Sequence, residues 1–211
     1  DIKRFVFAAS SSTYGDSASL PKVENIIGNP LSPYAVGKYV NELYAHVYAL
    51  NYGLSYIGLR YFNVFGKRQD PHGAYAAVIP KFIQQFLDGE APTINGDGTN
   101  TRDFTHIENV VDATLRAIEN TNVDADNQIY NVAYGSSTSL NELVALIKDA
   151  ITSRKPQATL PNVSYGPFRK GDIPHSLASI DKIKTHLDYT PRVSIQEGIQ
   201  KTVDWILSST R

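Results

Sequence analysis

The 211-residue chain contains no cysteine, no methionine and one tryptophan, and carries no surplus of charge of either sign, its formal net charge being −1. Each absence excludes something. Without cysteine there are no disulfides and no thiol nucleophile. Scattered, balanced charge offers no basic stripe, so nucleic acid is not an expected partner. No apolar run approaches the length of a bilayer span, so no membrane is expected as partner either. The histidines (His46, His72, His106, His175, His186) show no metal-ligand spacing, so no metal site is expected. A cytoplasmic protein fits this composition. The missing methionine, with a strand expected already at Arg4–Ala9, leads us to expect the later part of a longer protein.

Hydrophobic residues make up 42% of the chain, enough for one large domain or one and a half small ones. "RFVFAAS" (4–10) and "SYIGLRY" (55–61) are short apolar runs typical of buried parallel strands. A long polar loop separates the first from a helix expected over Pro33–Asn51. Ser32 suits its N-cap, Pro33 its first position, and Gly53 lies just past its end. Strand, crossover helix and strand favour a parallel α/β sheet. Further on, the pattern predicts an amphipathic helix at 77–88, a strand at "PTING", a turn-rich connection at "DGTNTRDF", a helix at Ile107–Asn120 and a strand at 128–133. Ser139 and Glu142 form a capping box before another helix. Then come a loop rich in Pro and Gly (155–174), a short helix at about 179–187 and a final helix at 194–208.

The chemistry-bearing stretch is "PYAVGK" (33–38), with Tyr34 and Lys38 one helical turn apart on one face. An ammonium beside a phenol favours the phenolate, which proton abstraction from an alcohol at neutral pH requires. Spacing alone is weak support: 13 Tyr and 11 Lys in 211 residues give roughly 0.7 such pairs by chance. The serines of "AASSSTYGD" (8–16) add context. They stand where a buried parallel strand runs out, which is where open α/β sheets bind ligands.

Six stretches in order carry a resemblance: "AASSSTYGD" (8–16), "LSPYAVGK" (31–38), "LRYFNVFG" (59–66), "INGDGTNTRDFTHIENVVDA" (94–113), "YNVA" (130–133) and "RKGD" (169–172). Together they resemble the extended short-chain dehydrogenase/reductase family in its nucleotide-sugar epimerase branch, closest to bacterial UDP-N-acetylhexosamine 4-epimerases. The resemblance implies an α/β fold, a partial Rossmann-like parallel sheet with a smaller α/β substrate-binding domain. It places 1–66 and 103–134 in the cofactor domain, and 67–102 and 135–211 in the UDP-sugar domain. NAD is the implied cofactor and a UDP-sugar the implied substrate.

Residue by residue, the resemblance makes Tyr34 the base at the sugar 4-hydroxyl. Lys38 binds the nicotinamide ribose and favours the phenolate, and Ser10 shares the substrate hydroxyl's hydrogen bond. Hydride passes from sugar carbon 4 to NAD⁺ and returns to the other face of a 4-keto sugar. Tyr61 lines the nicotinamide site. Asn63, Arg102 and Arg169 hold the UDP diphosphate, and Asp172 the uridine ribose. Ser11, Ser12, Gln69 and Ala77 surround the sugar. Ser176 matches the gatekeeper beside the sugar's 2-substituent, where a small residue admits an N-acetyl group. The helix bearing Tyr34 packs on its partner's copy in the family, and its apolar residues cover more than one face, so a homodimer is expected.

The pattern is also broken. No Gly-x-Gly-x-x-Gly occurs, so the pyrophosphate and adenosine site of NAD is not expected within these residues. Ser11–Ser12 stand where 4,6-dehydratases carry an Asp-Glu pair, which argues against elimination. The alternatives left open are a UDP-GlcNAcA 4-epimerase and a UDP-sugar-binding module without turnover.

Overall fold

The computed structural model describes residues 2, 4–72, 77–168 and 173–209. Three parallel strands form the main sheet in the order β1 (Phe5–Ser10), β2 (Tyr56–Tyr61), β7 (Gln128–Val132). The register sets Ser10 opposite Tyr61, and Tyr61 opposite Val132. Between β1 and β2 runs α1 (Pro33–Tyr52). Its ends follow local chemistry. The Ser32 side chain accepts from Ala35 N–H, Pro33 opens the first turn, and Gly53 closes the helix at φ 68°.

β2 is buried along most of its length, and its alternating side chains face two different layers. Arg60 meets Glu42 of α1 on one face. Ile57 and Leu59 join the core on the other, with Val110, Ala113 and Ala117 of α3 (Ile107–Glu119) and Ile183 and Leu187 of α5 (Asp181–Leu187).

Among the described residues β1 pairs only with β2. Between β1 and α1 a largely apolar groove of about 390 Å³ is lined by Phe5, Phe7, Tyr44, Ala45, Tyr48 and Leu54.

A second core gathers Ile79, Ile83 and Phe86 of α2 (Val78–Leu87), Leu143, Ile147 and Ile151 of α4 (Leu140–Arg154), and Ile199, Val203 and Ile206 of α6 (Ile195–Ser209). Ile94 of β4 (Thr93–Asn95) completes it. Ser139 caps α4 in the expected capping box with Glu142.

Several elements escaped the sequence pattern because their pairing depends on distant partners. The "DGTNTRDF" connection holds β5 (Thr101–Arg102), and β6 (Thr105–His106) follows it directly. β6 pairs with β3 (Val64–Phe65), and β5 with β8 (Thr138–Ser139). The loop rich in Pro and Gly contains β9 (Ser164–Gly166), parallel to β4. The polar loop after β1 begins as a 3₁₀ turn, Ser11–Tyr14. Gly15 follows at φ 52°, where a Cβ would lie 1.8 Å from the Asn29 carbonyl oxygen, so only glycine lets the loop fold back there. That loop then docks on the strand ends. Lys22 exchanges backbone hydrogen bonds with Leu177 and Ser179, and Glu24 Oε1 accepts from Asn131 N–H.

Candidate active site

Ser10 is the last residue of β1 and the N-cap of the 3₁₀ turn. Its Oγ accepts from Ser12 N–H at 3.2 Å and pairs with Ser12 Oγ at 2.9 Å. Ser11 and Ser12 are half-buried beside it. Lys38 reaches from α1 to the same strand end, its Nζ donating to the Ala8 carbonyl at 2.9 Å. That bond leaves the ammonium two of its three donors. The Lys38 Nζ lies 5.8 Å from the centre of the Tyr34 ring, so both side chains occupy one corner of the sheet. Tyr34 is 60% exposed at the first turn of α1, so its phenol is open to a ligand. An exposed phenol and an ammonium with donors to spare fit the ribose and carboxamide end of a nicotinamide nucleotide. Tyr61 stands at the end of β2 with its hydroxyl 2.9 Å from Thr114 Oγ1 of α3.

The strand end is underpinned by a buried polar cluster. Tyr14 Oη donates to Asn131 Oδ1 at 2.6 Å, and the Arg60 guanidinium lies 4.8 Å from the Tyr14 ring centre. Burial pushes the Tyr14 phenol up to about 12, so it stays a neutral donor. Asn131 Nδ2 donates to the carbonyls of Lys22 and Ser179, and Lys22 Nζ donates to the Ser17 carbonyl.

A second cleft, of about 290 Å³, opens between β4, β5 and the start of α2. Asn63, Lys81, Phe82, Asn95 and Arg102 line it. Asn63 holds a left-handed backbone at φ 35°, and its Nδ2 donates to the Asp103 carbonyl at 3.0 Å. Arg102 Nη1 donates to the carbonyls of Thr101 at 2.9 Å and Pro174 at 3.3 Å. Ala77 is the N-cap of α2 and supplies no side-chain cap. The cleft therefore holds two cationic side chains, Lys81 and Arg102, beside the start of α2, a setting suited to an anion. Ser176 N–H donates to the Thr101 carbonyl at 3.1 Å, which ties its segment to β5 beside Arg102. Gln69 Nε2 donates to the Val64 carbonyl at 3.3 Å. Its Oε1 is buried without a hydrogen-bond partner among the described residues.

Of the residues expected from sequence, Ser10, Ser11, Ser12, Tyr34 and Lys38 fall at the β1 end, and Asn63 and Arg102 in the second cleft. Arg169 and Asp172 lie outside the described residues. Lys81, Phe82 and Asn95 were not singled out. The helix and strand bearing them were legible, but nothing in their residue types marked a shared cleft.

Residues 1–133 match the family described as NAD dependent epimerase/dehydratase. A putative UDP-glucose 4-epimerase of Methanocaldococcus jannaschii is 39% identical over all of this chain and 65% of its own length. The UDP-N-acetylglucosamine 4-epimerase of Methanobrevibacter ruminantium, solved with UDP-N-acetylmuramic acid, superposes with a TM-score of 0.89 at 39% identity, over 98% of this chain and 64% of that one. A UDP-glucuronic acid 4-epimerase variant from Bacillus cereus, solved with a fluorinated UDP-glucuronic acid and NAD, gives 0.80 at 31% identity, over 98% and 62%. The chain thus spans less than two thirds of the length of the relatives it matches. Over that span the match takes in the serine-bearing strand end, the Tyr34 helix and the Arg102 strand alike. This chain belongs to the NAD dependent epimerase/dehydratase family.

Proposed function

We propose that the chain carries the acid–base centre and the nucleotide-sugar cleft of a UDP-sugar 4-epimerase that accepts N-acetylated hexosamines. One observation carries most of the weight: Lys38 ties α1 to β1 through Ala8, two residues before Ser10, beside the exposed Tyr34. In this reading Tyr34 takes the proton of the sugar 4-hydroxyl, and Ser10 holds the oxygen losing it. Lys38 keeps the phenolate favoured and holds a nicotinamide ribose with its remaining donors. NAD, when bound there, supplies reversible hydride acceptance at sugar carbon 4. The diphosphate lies against Arg102 and Lys81 near the start of α2, with Asn63 beside it. Ser176, a small residue on the segment hydrogen-bonded to Thr101, leaves room for an N-acetyl group. Two copies pair through the outward residues Val36, Leu43, Val47 and Leu50 of α1, which recur on one stripe and are exposed.

The test is turnover of UDP-N-acetylglucosamine by the protein as encoded, with NAD⁺ supplied. Formation of UDP-N-acetylgalactosamine is expected, with a loss of about 10²–10⁴-fold in Tyr34→Phe. Conversion of UDP-glucuronic acids alone would overturn the hexosamine assignment. Undiminished turnover by Tyr34→Phe would overturn the assignment of the base.

A further inference from the structure

Asp103 follows Arg102 directly, and no part of it is exposed. Its carboxylate gathers backbone N–H donors from two distant segments. Tyr134 donates at 3.1 Å, and Gly135 at 3.3 Å to one oxygen and 3.1 Å to the other, both just past the end of β7. Ala178 donates at 3.3 Å from the segment that carries Ser176. The Asp103 carbonyl meanwhile accepts from Asn63 Nδ2. Asn63, Arg102 and Ser176 come from three separate stretches of chain that meet at Asp103, Asn63 through its backbone carbonyl and the Ser176 segment through its carboxylate.

The residue type matters. A carboxylate accepts at two oxygens and donates nothing, so it suits a ring of N–H groups. An amide of the same shape would turn an NH₂ against one of those donors. A charge buried this deeply is unfavourable unless its partners are fixed, and apolar packing would hold two loops together at lower cost. What an apolar residue would not do is set the angle at which the Ser176 segment meets β5.

We infer that Asp103 is a positioning residue for the cleft, holding the Ser176 segment in a fixed position against β5 beside Arg102 where the nucleotide sugar binds. This rests on the reading of the cleft proposed above. Its loss weakens ligand binding and spares the chemical step, because Tyr34 and Lys38 are held separately through Ala8 and β1.

The experiment compares Asp103→Asn and Gly135→Ala with the parent, each as the protein is encoded. Gly135 sits at φ +81°, where a side chain is strained, so Gly135→Ala displaces two of the hydrogen bonds while leaving Asp103 in place. If Asp103→Asn does not fold, this second variant carries the same readouts. The KM for UDP-N-acetylglucosamine should rise about tenfold while kcat stays within about twofold. Backbone amide exchange at Ser176 and Gly135 should quicken about tenfold, with α4 unchanged. An unchanged KM, or a fall in kcat matching the rise in KM, overturns the inference. Unchanged exchange at Ser176 overturns it too, and does so without any ligand. A parent that turns over no UDP-sugar defeats the functional proposal instead, and the exchange result still decides whether Asp103 holds these segments.

Discussion

Glu42 and Arg60 close a two-pronged ion pair between α1 and β2, Oε1 accepting from Nε at 2.9 Å and Oε2 from Nη2 at 2.7 Å, with both side chains almost wholly buried. Arg60 Nη1 also donates to the Glu24 carbonyl at 2.9 Å, so one guanidinium binds helix, strand and the docked loop. Glu42 lies one turn beyond Lys38 on the helix face that also buries Ala35 and Ala45. The pair therefore fixes the rotation of α1, and with it the direction in which Tyr34 and Lys38 project.

Removing one partner leaves the other as an uncompensated buried charge. Glu42→Ala should cost about 3–5 kcal/mol of unfolding free energy, read from denaturant midpoints at constant slope. Glu42→Gln keeps the shape and part of the hydrogen bonding and should cost less. A loss below about 1 kcal/mol in Glu42→Ala would show that apolar packing, not the pair, sets the helix.

Ser176 tests specificity at one position. Ser176→Tyr adds a large side chain beside β5, where the backbone is pinned to Thr101 and cannot easily withdraw. Turnover of UDP-N-acetylglucosamine should fall at least about tenfold, while that of UDP-glucose, which lacks the N-acetyl group, should change little. Parallel assays of the two substrates give the ratio. An unchanged ratio removes Ser176 from the specificity argument.

Elements whose signals are local were legible in the sequence. The ends of α1 follow from Ser32, Pro33 and Gly53, and the start of α4 from Ser139 with Glu142, because caps act within one turn. The two-residue strands β3, β5, β6 and β8 were not, since each exists only through a partner far along the chain. The site divides the same way. The Tyr34–Lys38 spacing alone could arise by chance, and it was the resemblance over six ordered stretches that singled these two out together with Ser10. Lys81 and Asn95 look like ordinary surface residues until α2 and β4 converge. Asp103 gives no sign of burial in a turn-rich stretch. Arg60 did carry one unused signal: a charge in the middle of an apolar strand requires a buried partner.

Asp103 also predicts a pH dependence of stability. Burial pushes its carboxyl up to about 7, against the pull of the backbone N–H groups of Ala178, Tyr134, Gly135 and Ser136. Unfolded, an aspartate titrates near 3.9. Between about pH 4 and 7 the folded state thus holds a proton that the unfolded state has released. The contribution is fully present below about pH 4 and is lost as pH rises through about 7, by up to about 1.4 kcal/mol per pH unit. His106 acts in the opposite sense, because burial lowers its pKa and the unfolded chain takes up its proton first. The Asp103 term is isolated by subtraction. Denaturation series for the parent and Asp103→Asn from pH 4 to 8 should show the parent losing stability relative to the variant as pH rises. Parallel curves would place the carboxyl at its ordinary value.

The outward stripe of α1 supplies the last prediction. Val36, Leu43, Val47 and Leu50 are each at least 46% exposed, and none joins either core. Ala35, Glu42 and Ala45 already commit a different face to the sheet, so burial of this stripe needs another surface. In the proposed dimer a second copy would meet it with the same residues about a twofold axis, an isologous contact that needs no further complementarity. Val47→Glu places a charge at the centre of that contact on both copies at once. Light scattering during size exclusion should show a dimer for the parent and a monomer for Val47→Glu at micromolar concentration. The thermal midpoint of the monomer should not depend on protein concentration, whereas that of the dimer should. A parent monomer, or a Val47→Glu dimer as tight as the parent, would move the interface off α1.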